Sequence, residues 1–352
     1  MVLTTGQKWG GMQMYKVGVA PGRFLPPHRG HLNAIIQAGT KVKKLYVVVC
    51  HDEERIRKEC AENNMPYMSM NQRAMWLSKE LQNLDHIEVL TLDESDIPSY
   101  PFGWEPWSDL LKETVPEHID AIFGGEPSYK EGYTKYYPEA EYIIYDPERT
   151  RFPVSGTKIR ENLYKHWDYV LGAARPFFTK KVLITGTEST GKTSLTKSLA
   201  KIYHTSWAEE CGRYYSERYL GGNDDYLENE HFGRIAYQQR ELEEDAIRHA
   251  NKVTFLDTGA VVTQYYAEVY TGEQNEMVEL LTDPDRYDLV LLFTPEVEWV
   301  DDGTRFLDKG RWELHEKLKG MYEDRGYDYV EIGGNYTERL NAAIELVDNL
   351  IK

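Results

Sequence analysis

The stretch Gly22-Arg23-Phe24-Leu25-Pro26-Pro27-His28-Arg29-Gly30-His31 decides the first half of the fold. An apolar run at 16–20 precedes it and a helical pattern at 30–39 follows it, so we predict a strand, a loop and a helix. His28 and His31 are three residues apart, a spacing that places both on one helix face. Imidazoles beside the free N–H groups of a helix start suit a polyphosphate. Taken alone, the spacing also fits two unrelated histidines at a turn.

The regions after this stretch continue to alternate between strand and helix patterns. That alternation is typical of βαβ units and a parallel sheet. The hydrophobic periodicity predicts further strands at 45–50, 86–90, 121–123 and 142–145, and helices at 71–81 and from about 156.

A second phosphate loop, Gly186-Thr187-Glu188-Ser189-Thr190-Gly191-Lys192-Thr193, lies between a predicted strand at 181–185 and a predicted helix at 192–201. G-x-x-x-x-G-K-T in this context is a P-loop, whose backbone N–H groups cradle the phosphates of ATP. Lys192 is predicted to reach the β- and γ-phosphates, and Thr193 to hold Mg²⁺. The apolar run 253–256 ends at Asp257, which is predicted to organise the same ion.

The remaining pattern of the second half again alternates, with strands at 289–293 and 329–332 and helices near 230–250, 260–270 and 336–350. The sequence therefore predicts an α/β protein of two doubly wound parallel-sheet domains. Ala174-Arg175-Pro176-Phe177-Phe178 interrupts the first pattern, so we place the domains at 15–175 and 176–352.

Composition restricts the class of ligand. The chain has 352 residues and a net charge of −17. An acidic chain without a long basic run is a poor nucleic-acid binder. No segment reaches the ~18 apolar residues of a membrane span, and residues 1–14 lack a signal-peptide core. Three cysteines without a C-x-x-C pair favour a reducing compartment. We expect a cytoplasmic protein that binds small phosphorylated molecules, with no nucleic-acid partner and no membrane span.

Two further segments are candidates for substrate contacts. Ser155 or Thr157 is predicted to cap a helix whose N–H groups, with Arg160, face an anion. A simple cap without a ligand fits Ser-Gly-Thr equally well. The segment 97–108 is unusually aromatic for a loop, and a flat cationic ring such as nicotinamide would stack on Trp104 or Trp107. Two tryptophans that pack a loop onto the sheet are the alternative.

The first stretch resembles the G-x-F-x-P-x-H-x-G-H signature of nucleotidyltransferases that join a nucleoside triphosphate to a phosphate monoester, and 154–160 resembles their second signature. The resemblance implies a Rossmann-like domain and attack on the α-phosphate of ATP by an anionic phosphate oxygen, which needs no general base. We therefore assign His28, His31 and Arg160 as electrostatic stabilisers. The implied ATP contacts are Gly22, Arg23, Phe24, Gly30, Ser155, Gly156 and Thr157.

The aromatic segment is similar to the nicotinamide-stacking segment of nicotinamide mononucleotide adenylyltransferases, where Trp107 aligns best and Trp104 second. In the second half, 210–213 matches the acceptor region of small-molecule P-loop kinases, which implies substrate contacts for Glu210 and Arg213. A surface ion pair is the alternative. Arg305 is a candidate lid arginine, and Arg311 a weaker one. The implied ATP contacts are Gly186, Glu188, Ser189, Thr190, Gly191, Lys192, Thr193 and Arg305.

Both halves in this order resemble the NadR family, from about Tyr15 to the end of the chain. Ordered matches include Gly103-Trp104, Pro176-Phe177-Phe178, Gly212-Arg213 and Asp257-Thr258. The resemblance implies a nicotinamide mononucleotide adenylyltransferase domain followed by a P-loop ribosylnicotinamide kinase domain. It also implies ATP and Mg²⁺ as cofactors, and nicotinamide riboside, the mononucleotide and NAD as small-molecule partners.

Two departures from the family pattern affect the expected function. Only about 14 residues precede the first strand, so the helix-turn-helix domain of enterobacterial members, and with it DNA binding, is expected to be absent. Gly259 follows Asp257-Thr258 where family members often have a second Asp, which leaves the general base of the kinase open, and Glu210 is our substitute.

Two other hypotheses stay open: a nucleotidyltransferase for another phosphomonoester fused to an unrelated kinase, and a non-catalytic sensor of NAD or ATP. The oligomeric state is also open, a homo-oligomer included.

Overall fold

The computed structural model describes residues 14–98, 102–296 and 310–352. The chain divides into two compact units between Ala174 and Arg175. Each unit is built on a five-stranded sheet in which every pair of neighbouring strands is parallel. The prediction of two doubly wound α/β domains is confirmed. No helix among the described residues has both the length and the apolar character needed to cross a membrane.

The first unit has the strand order β3-β2-β1-β4-β5. β1 lies at the centre, and its two valines are buried in the core that covers one face of the sheet. Its elements are β1 (Tyr15–Gly22), α1 (Arg29–Gly39), β2 (Val42–His51), α2 (Glu53–Ala61), α3 (Met70–Glu80), β3 (Ile87–Asp93), α4 (Trp104–Thr114), β4 (Ala121–Gly124), α5 (Lys130–Tyr136), β5 (Glu141–Ile144) and α6 (Gly156–Glu161).

The second unit has the strand order β10-β9-β6-β8-β7, again with the first strand of the unit at the centre. Its elements are α7 (Arg175–Phe178), β6 (Lys180–Gly186), α8 (Lys192–Ile202), β7 (Trp207–Ala208), α9 (Cys211–Tyr219), α10 (Asn229–Arg248), β8 (Val253–Asp257), α11 (Ala260–Thr271), α12 (Glu276–Glu279), β9 (Leu289–Phe293), α13 (Arg311–Asp324), β10 (Val330–Ile332) and α14 (Tyr336–Leu350).

Each sheet has a switch point at its central strand. The strands that follow the central strand along the chain are added first to one side of it and then to the other. β2 pairs with one side of β1 and β4 with the other, and β8 and β9 flank β6 in the same manner. In open α/β sheets a crevice forms outside the carboxyl ends of the strands at such a point. Both predicted phosphate loops follow a central strand at this edge.

The aromatic segment is the clearest difference from the predicted secondary structure. The prediction of a loop over 97–108 is wrong from Trp104 onward, since α4 begins there and carries Trp104 and Trp107 on its first turns. Pro106 is tolerated because the first N–H groups of a helix have no intrahelical partner. Ser99, Tyr100 and Pro101 lie outside the described residues. Helices α2, α5, α9, α12 and α13 were also not predicted, because their sequences are short or strongly polar.

Candidate active sites

The His28–His31 loop turns the chain from β1 into α1. His28 is the N-cap of α1 in an extended conformation, and its Nδ1 accepts a hydrogen bond from the backbone N–H of His31 at 3.4 Å. The two rings stack, with centroids 3.6 Å apart. The ring of Phe24 meets that of His31 edge-on at 5.0 Å. The predicted juxtaposition of the two histidines is present, although one caps the helix and the other lies within it.

Both imidazoles are neutral in the protein without a ligand. Burial, aided by the positive charge of Arg149, lowers the pKa of His28 to about 3. Burial also holds the pKa of His31 well below its usual value. Nδ1 of His31 is buried and has no hydrogen-bond partner among the described residues. A buried polar atom without a partner is costly, so this atom is suited to a polar ligand group such as a phosphate oxygen.

A cavity of about 240 Å³ lies over this loop. The start of α6 forms part of its wall, where the Ser155 hydroxyl accepts from the backbone N–H of Lys158 at 3.2 Å. Ser155 is thus the helix cap, and Thr157 is exposed outside the lining. A Cβ at Gly156 would lie 2.5 Å from the Leu25 carbonyl oxygen, so only glycine allows the two signature loops to meet. The predicted ATP contacts in the lining are Gly22, Phe24, His28, Gly30, His31, Ser155 and Gly156.

Arg160 braces the loop instead of lining the cavity. Its side chain is buried, and one Nη donates to the Leu25 carbonyl at 2.7 Å while the other pairs with Glu59 at 2.7 Å. Glu59 also pairs with Arg23 at 2.5 Å and Arg55 at 3.0 Å. One carboxylate therefore holds three arginines around the end of β1. A direct role for Arg160 at a transferring phosphate stays a prediction.

A second cavity, of about 330 Å³, adjoins the first across the β1–β4 switch point. The two share the lining residues Pro21, Gly22, Gly124, Gly125 and Glu126. Trp104 and Trp107 both line the second cavity, as do Arg23 and Arg55. Trp104 packs edge-on against Tyr133 at 5.2 Å and covers Gly132, where a Cβ would meet the indole at 2.4 Å. Trp104 is therefore partly committed to the core of the unit.

The P-loop of the second unit connects β6 to α8. Gly191 has φ +85°, the left-handed conformation that glycine adopts without strain, and α8 begins at Lys192. Nζ of Lys192 donates to the Thr187 carbonyl at 2.9 Å, so the side chain lies over its own loop. The Thr193 hydroxyl donates to Asp257 Oδ2 at 2.5 Å. The strand register places Asp257 beside Ile184, at the same sheet edge as the loop.

Asp257 is fully buried. Burial raises the pKa of this carboxyl to about 6, while Lys192 and the Thr193 hydroxyl act in the opposite direction. The negative charge of Glu210 adds to the increase in pKa. An ionised Asp257 therefore depends on cations nearby, which is the environment that a divalent metal ion would supply.

A third cavity, of about 220 Å³, lies between the P-loop and helices α9 and α10. Most of the predicted kinase residues line it, but Gly186 and Asp257 do not. Arg305 lies outside the described residues, and Arg311 donates to the Ser189 carbonyl at 3.3 Å. Gly259 is packed against Tyr287 and Leu183 with contacts of 3.1–3.3 Å for an added Cβ, so this position points into the core. The predicted residues in the lining are Glu188, Ser189, Thr190, Gly191, Lys192, Thr193, Glu210 and Arg213.

Several residues that line the three cavities were not predicted from the sequence. Asp52 and Glu94 directly follow β2 and β3, so the rule that carboxyl ends of parallel strands share one edge could have found them. No sequence signal marks the others, because they come from helices or loops distant along the chain. These are Asn33, Tyr145 and Arg149 in the first cavity, Arg55, Tyr129 and Tyr142 in the second, and Gln239, Tyr266 and Tyr270 in the third.

Comparison with known proteins shows matches across both units. Residues 19–162 match the cytidylyltransferase-like family and residues 181–339 match the AAA domain family. The trifunctional NAD biosynthesis/regulator protein NadR of Escherichia coli (strain K12) is 32% identical over 348 residues, which is 96% of this chain and 84% of that protein.

Two solved structures of NadR proteins have the same fold. One, in complex with NR, has a TM-score of 0.78 at 26% identity, covering 96% of this chain and 97% of that one. The other, in complex with NAD and AMP-PNP, has a TM-score of 0.78 at 27% identity and covers 97% of both chains.

Proposed function

The chain belongs to the NadR family, and from this premise we propose that it catalyses two consecutive steps of NAD salvage. The second unit phosphorylates nicotinamide riboside with ATP, and the first unit condenses the resulting mononucleotide with ATP to give NAD and pyrophosphate. One observation carries the proposal: the histidine cavity shares five lining residues with an aromatic cavity, so a nucleoside triphosphate and a nicotinamide mononucleotide can lie side by side. The complexes of relatives with NR, NAD and AMP-PNP support it.

In the adenylyl transfer, a phosphate oxygen of the mononucleotide attacks the α-phosphorus of ATP, and the bond to pyrophosphate breaks. The attacking oxygen is already anionic, so the site needs alignment and charge screening more than a base. His31 offers a ring nitrogen that has no partner in the described part of the chain, and the N-terminus of α1 adds backbone N–H groups. Arg160 and Glu59 hold the loop in place through the Leu25 carbonyl.

In the phosphoryl transfer, the 5′-hydroxyl oxygen of the riboside attacks the γ-phosphorus of ATP, ADP leaves and the hydroxyl loses its proton. Lys192 would exchange the Thr187 carbonyl for phosphate oxygens. The Thr193–Asp257 pair fits Mg²⁺, which prefers oxygen ligands and usually keeps several waters, and the ion would screen the phosphate charge. No cluster of three or more His, Cys, Asp or Glu that could hold a metal occurs in the described ranges, which accords with an ion held largely by substrate phosphates.

We propose that Glu210 accepts the hydroxyl proton, since it lies at the N-cap of α9 and lines the third cavity beside Arg213. Glu210→Gln is expected to lower kcat of riboside phosphorylation by about 10²-fold, because general-base catalysis is lost while the shape is kept. Steady-state kinase assays measure the change. Glu209→Gln is the matched control, because Glu209 is exposed and pairs with Lys197 on the surface. Equal losses in both variants would remove Glu210 from the mechanism.

The aromatic cavity leads to a second prediction, which concerns Trp107. Trp107→Ala is expected to raise KM for the mononucleotide by about 10-fold and leave KM for ATP unchanged, because a cation–π contact contributes roughly 1–2 kcal/mol in a desolvated site. Adenylylation rates at varied mononucleotide and ATP concentrations separate the two constants. A parallel rise in both values, or in neither, would exclude Trp107 as the stacking residue.

The proposal as a whole is tested by assaying the half-reactions separately. Purified protein with ATP and Mg²⁺ should convert nicotinamide riboside to its mononucleotide, and supplied mononucleotide to NAD. An adenylyltransferase for another phosphomonoester would fail both assays with nicotinamide substrates. A sensor would bind NAD and turn over nothing.

We also propose the cytoplasm as the compartment and small molecules as the partners. All three cysteines are buried and free, in keeping with reducing conditions. The net charge of −17 disfavours a nucleic-acid partner.

A further inference from the structure

Glu94 is a carboxylate of the aromatic cavity that, like Asp52, forms no ion pair with a described residue. It follows β3, and its backbone N–H donates to the His51 carbonyl at 2.7 Å, which fixes it at the edge where β2 ends. Its half-buried side chain lines the second cavity together with Trp107. The Glu94 carboxyl forms no ion pair with any residue in the described part of the chain.

The arginines that line the same cavity, in contrast, are held in ion pairs. Arg23 and Arg55 are its only basic lining residues among those described, and both pair with Glu59, which lies outside the lining. Asp52 and Glu126 add two further carboxylates to the lining. Glu126 pairs with Arg149 at 3.4 Å. In the described lining, the charge that faces a ring bound against the tryptophans is therefore negative, because both arginines are paired and Glu94 and Asp52 are not.

Trp107 connects this charge to the ring site. Burial raises the pKa of the Glu94 carboxyl and the charge of Asp52 adds to the increase, while Trp107, Arg23 and Arg55 act in the opposite direction. A ring that stacks on this indole occupies the cavity that Glu94 lines. Like charges in such a partly buried site repel each other more strongly than they do in bulk water.

We propose that Glu94 selects the mononucleotide whose pyridine ring carries a neutral carboxamide over the acid form, in which a carboxylate replaces that group. This inference rests on the proposed adenylyltransferase function and names the residue that sets its substrate class. Both mononucleotides carry the same ring cation and the same phosphate. The ring substituent alone differs, so the repulsion from Glu94 acts on one of them only.

The test compares kcat/KM for the two mononucleotides in adenylylation by the full-length protein. Wild type is expected to favour the amide form, and Glu94→Gln to reduce that preference at least about 10-fold, which corresponds to ~1.4 kcal/mol. Gln keeps the shape of the side chain and removes its charge. Glu94→Asp, which keeps the charge, should retain most of the preference. Glu88→Gln on β3 is the matched control, since Glu88 is exposed and pairs with Lys44.

An unchanged preference in Glu94→Gln overturns the inference, and so does an equal loss in Glu94→Asp, because shape and not charge would then be responsible. Binding of each mononucleotide without ATP, measured by calorimetry, gives a second readout. If wild type shows no turnover but binds the amide form more tightly than the acid form, and Glu94→Gln does not, the proposed function fails while the inference stands. If wild type binds neither, the inference fails as well.

Discussion

Lys192→Ala is expected to lower kcat for phosphorylation of nicotinamide riboside by at least about 10³-fold, because the P-loop lysine neutralises charge on the transferring phosphoryl group. The side chain is 8% exposed and already lies over the loop, with Nζ on the Thr187 carbonyl. A small rotation would bring it to the phosphates. No other lysine lines the third cavity among the described residues, so no neighbouring lysine replaces it. Initial rates at saturating ATP and riboside measure the effect.

The same variant is expected to adenylylate supplied mononucleotide at the wild-type rate, because Lys192 belongs to the second compact unit. That retained activity also shows that the variant protein is folded. Lys201→Ala is the matched control, since Lys201 lies exposed on the same helix. Loss of both activities in folded protein would contradict two independent sites.

His31→Ala is expected to have the reverse effect, with adenylylation lowered by about 10³-fold and riboside phosphorylation unchanged. Removing one preorganised donor at a site of developing charge costs about 10²–10³-fold in rate, and the value for His31 should lie at the upper end. Its Nδ1 is buried and has no hydrogen-bond partner within the ranges that the structure describes. Its backbone N–H, which bonds to His28, is retained in the variant.

The loss should be in kcat more than in KM for ATP, because the interaction strengthens as charge develops in the transition state. His118→Ala is the control for removing an imidazole from the first unit, since His118 is exposed and pairs with Glu139 on the surface. A wild-type adenylylation rate in His31→Ala would exclude a catalytic role for this ring.

Sequence reasoning succeeded where chemistry is local. The His28–His31 loop and the P-loop each contain their glycines, caps and charged groups within ten residues, so spacing alone predicted both loop-to-helix starts. The strands could also be predicted from the sequence, because strands that are buried on both faces consist of continuous apolar segments. The assignment of Trp104 and Trp107 to a loop failed because a proline in the first turn of a helix resembles a helix breaker.

Only the tertiary structure decided how the charged side chains are used. Arg160 and Arg23 look alike in sequence as anion-binding candidates, yet both pair with Glu59 on an unpredicted helix. Glu94 looks like an ordinary acidic residue after a strand, yet it faces the aromatic cavity without an ion pair among the described residues. The Thr193–Asp257 contact spans 64 residues of sequence and depends on the register of β6 and β8.

The sequence by itself therefore determined two α/β units, each with a phosphate loop after its central strand, because loop and strand chemistry is encoded within short segments. The tertiary structure decided which cavity we propose for the nicotinamide ring and which charges face it. The physical reason is that parallel strands bring distant carboxyl ends to one edge, where ion pairing determines which charges remain available to a ligand.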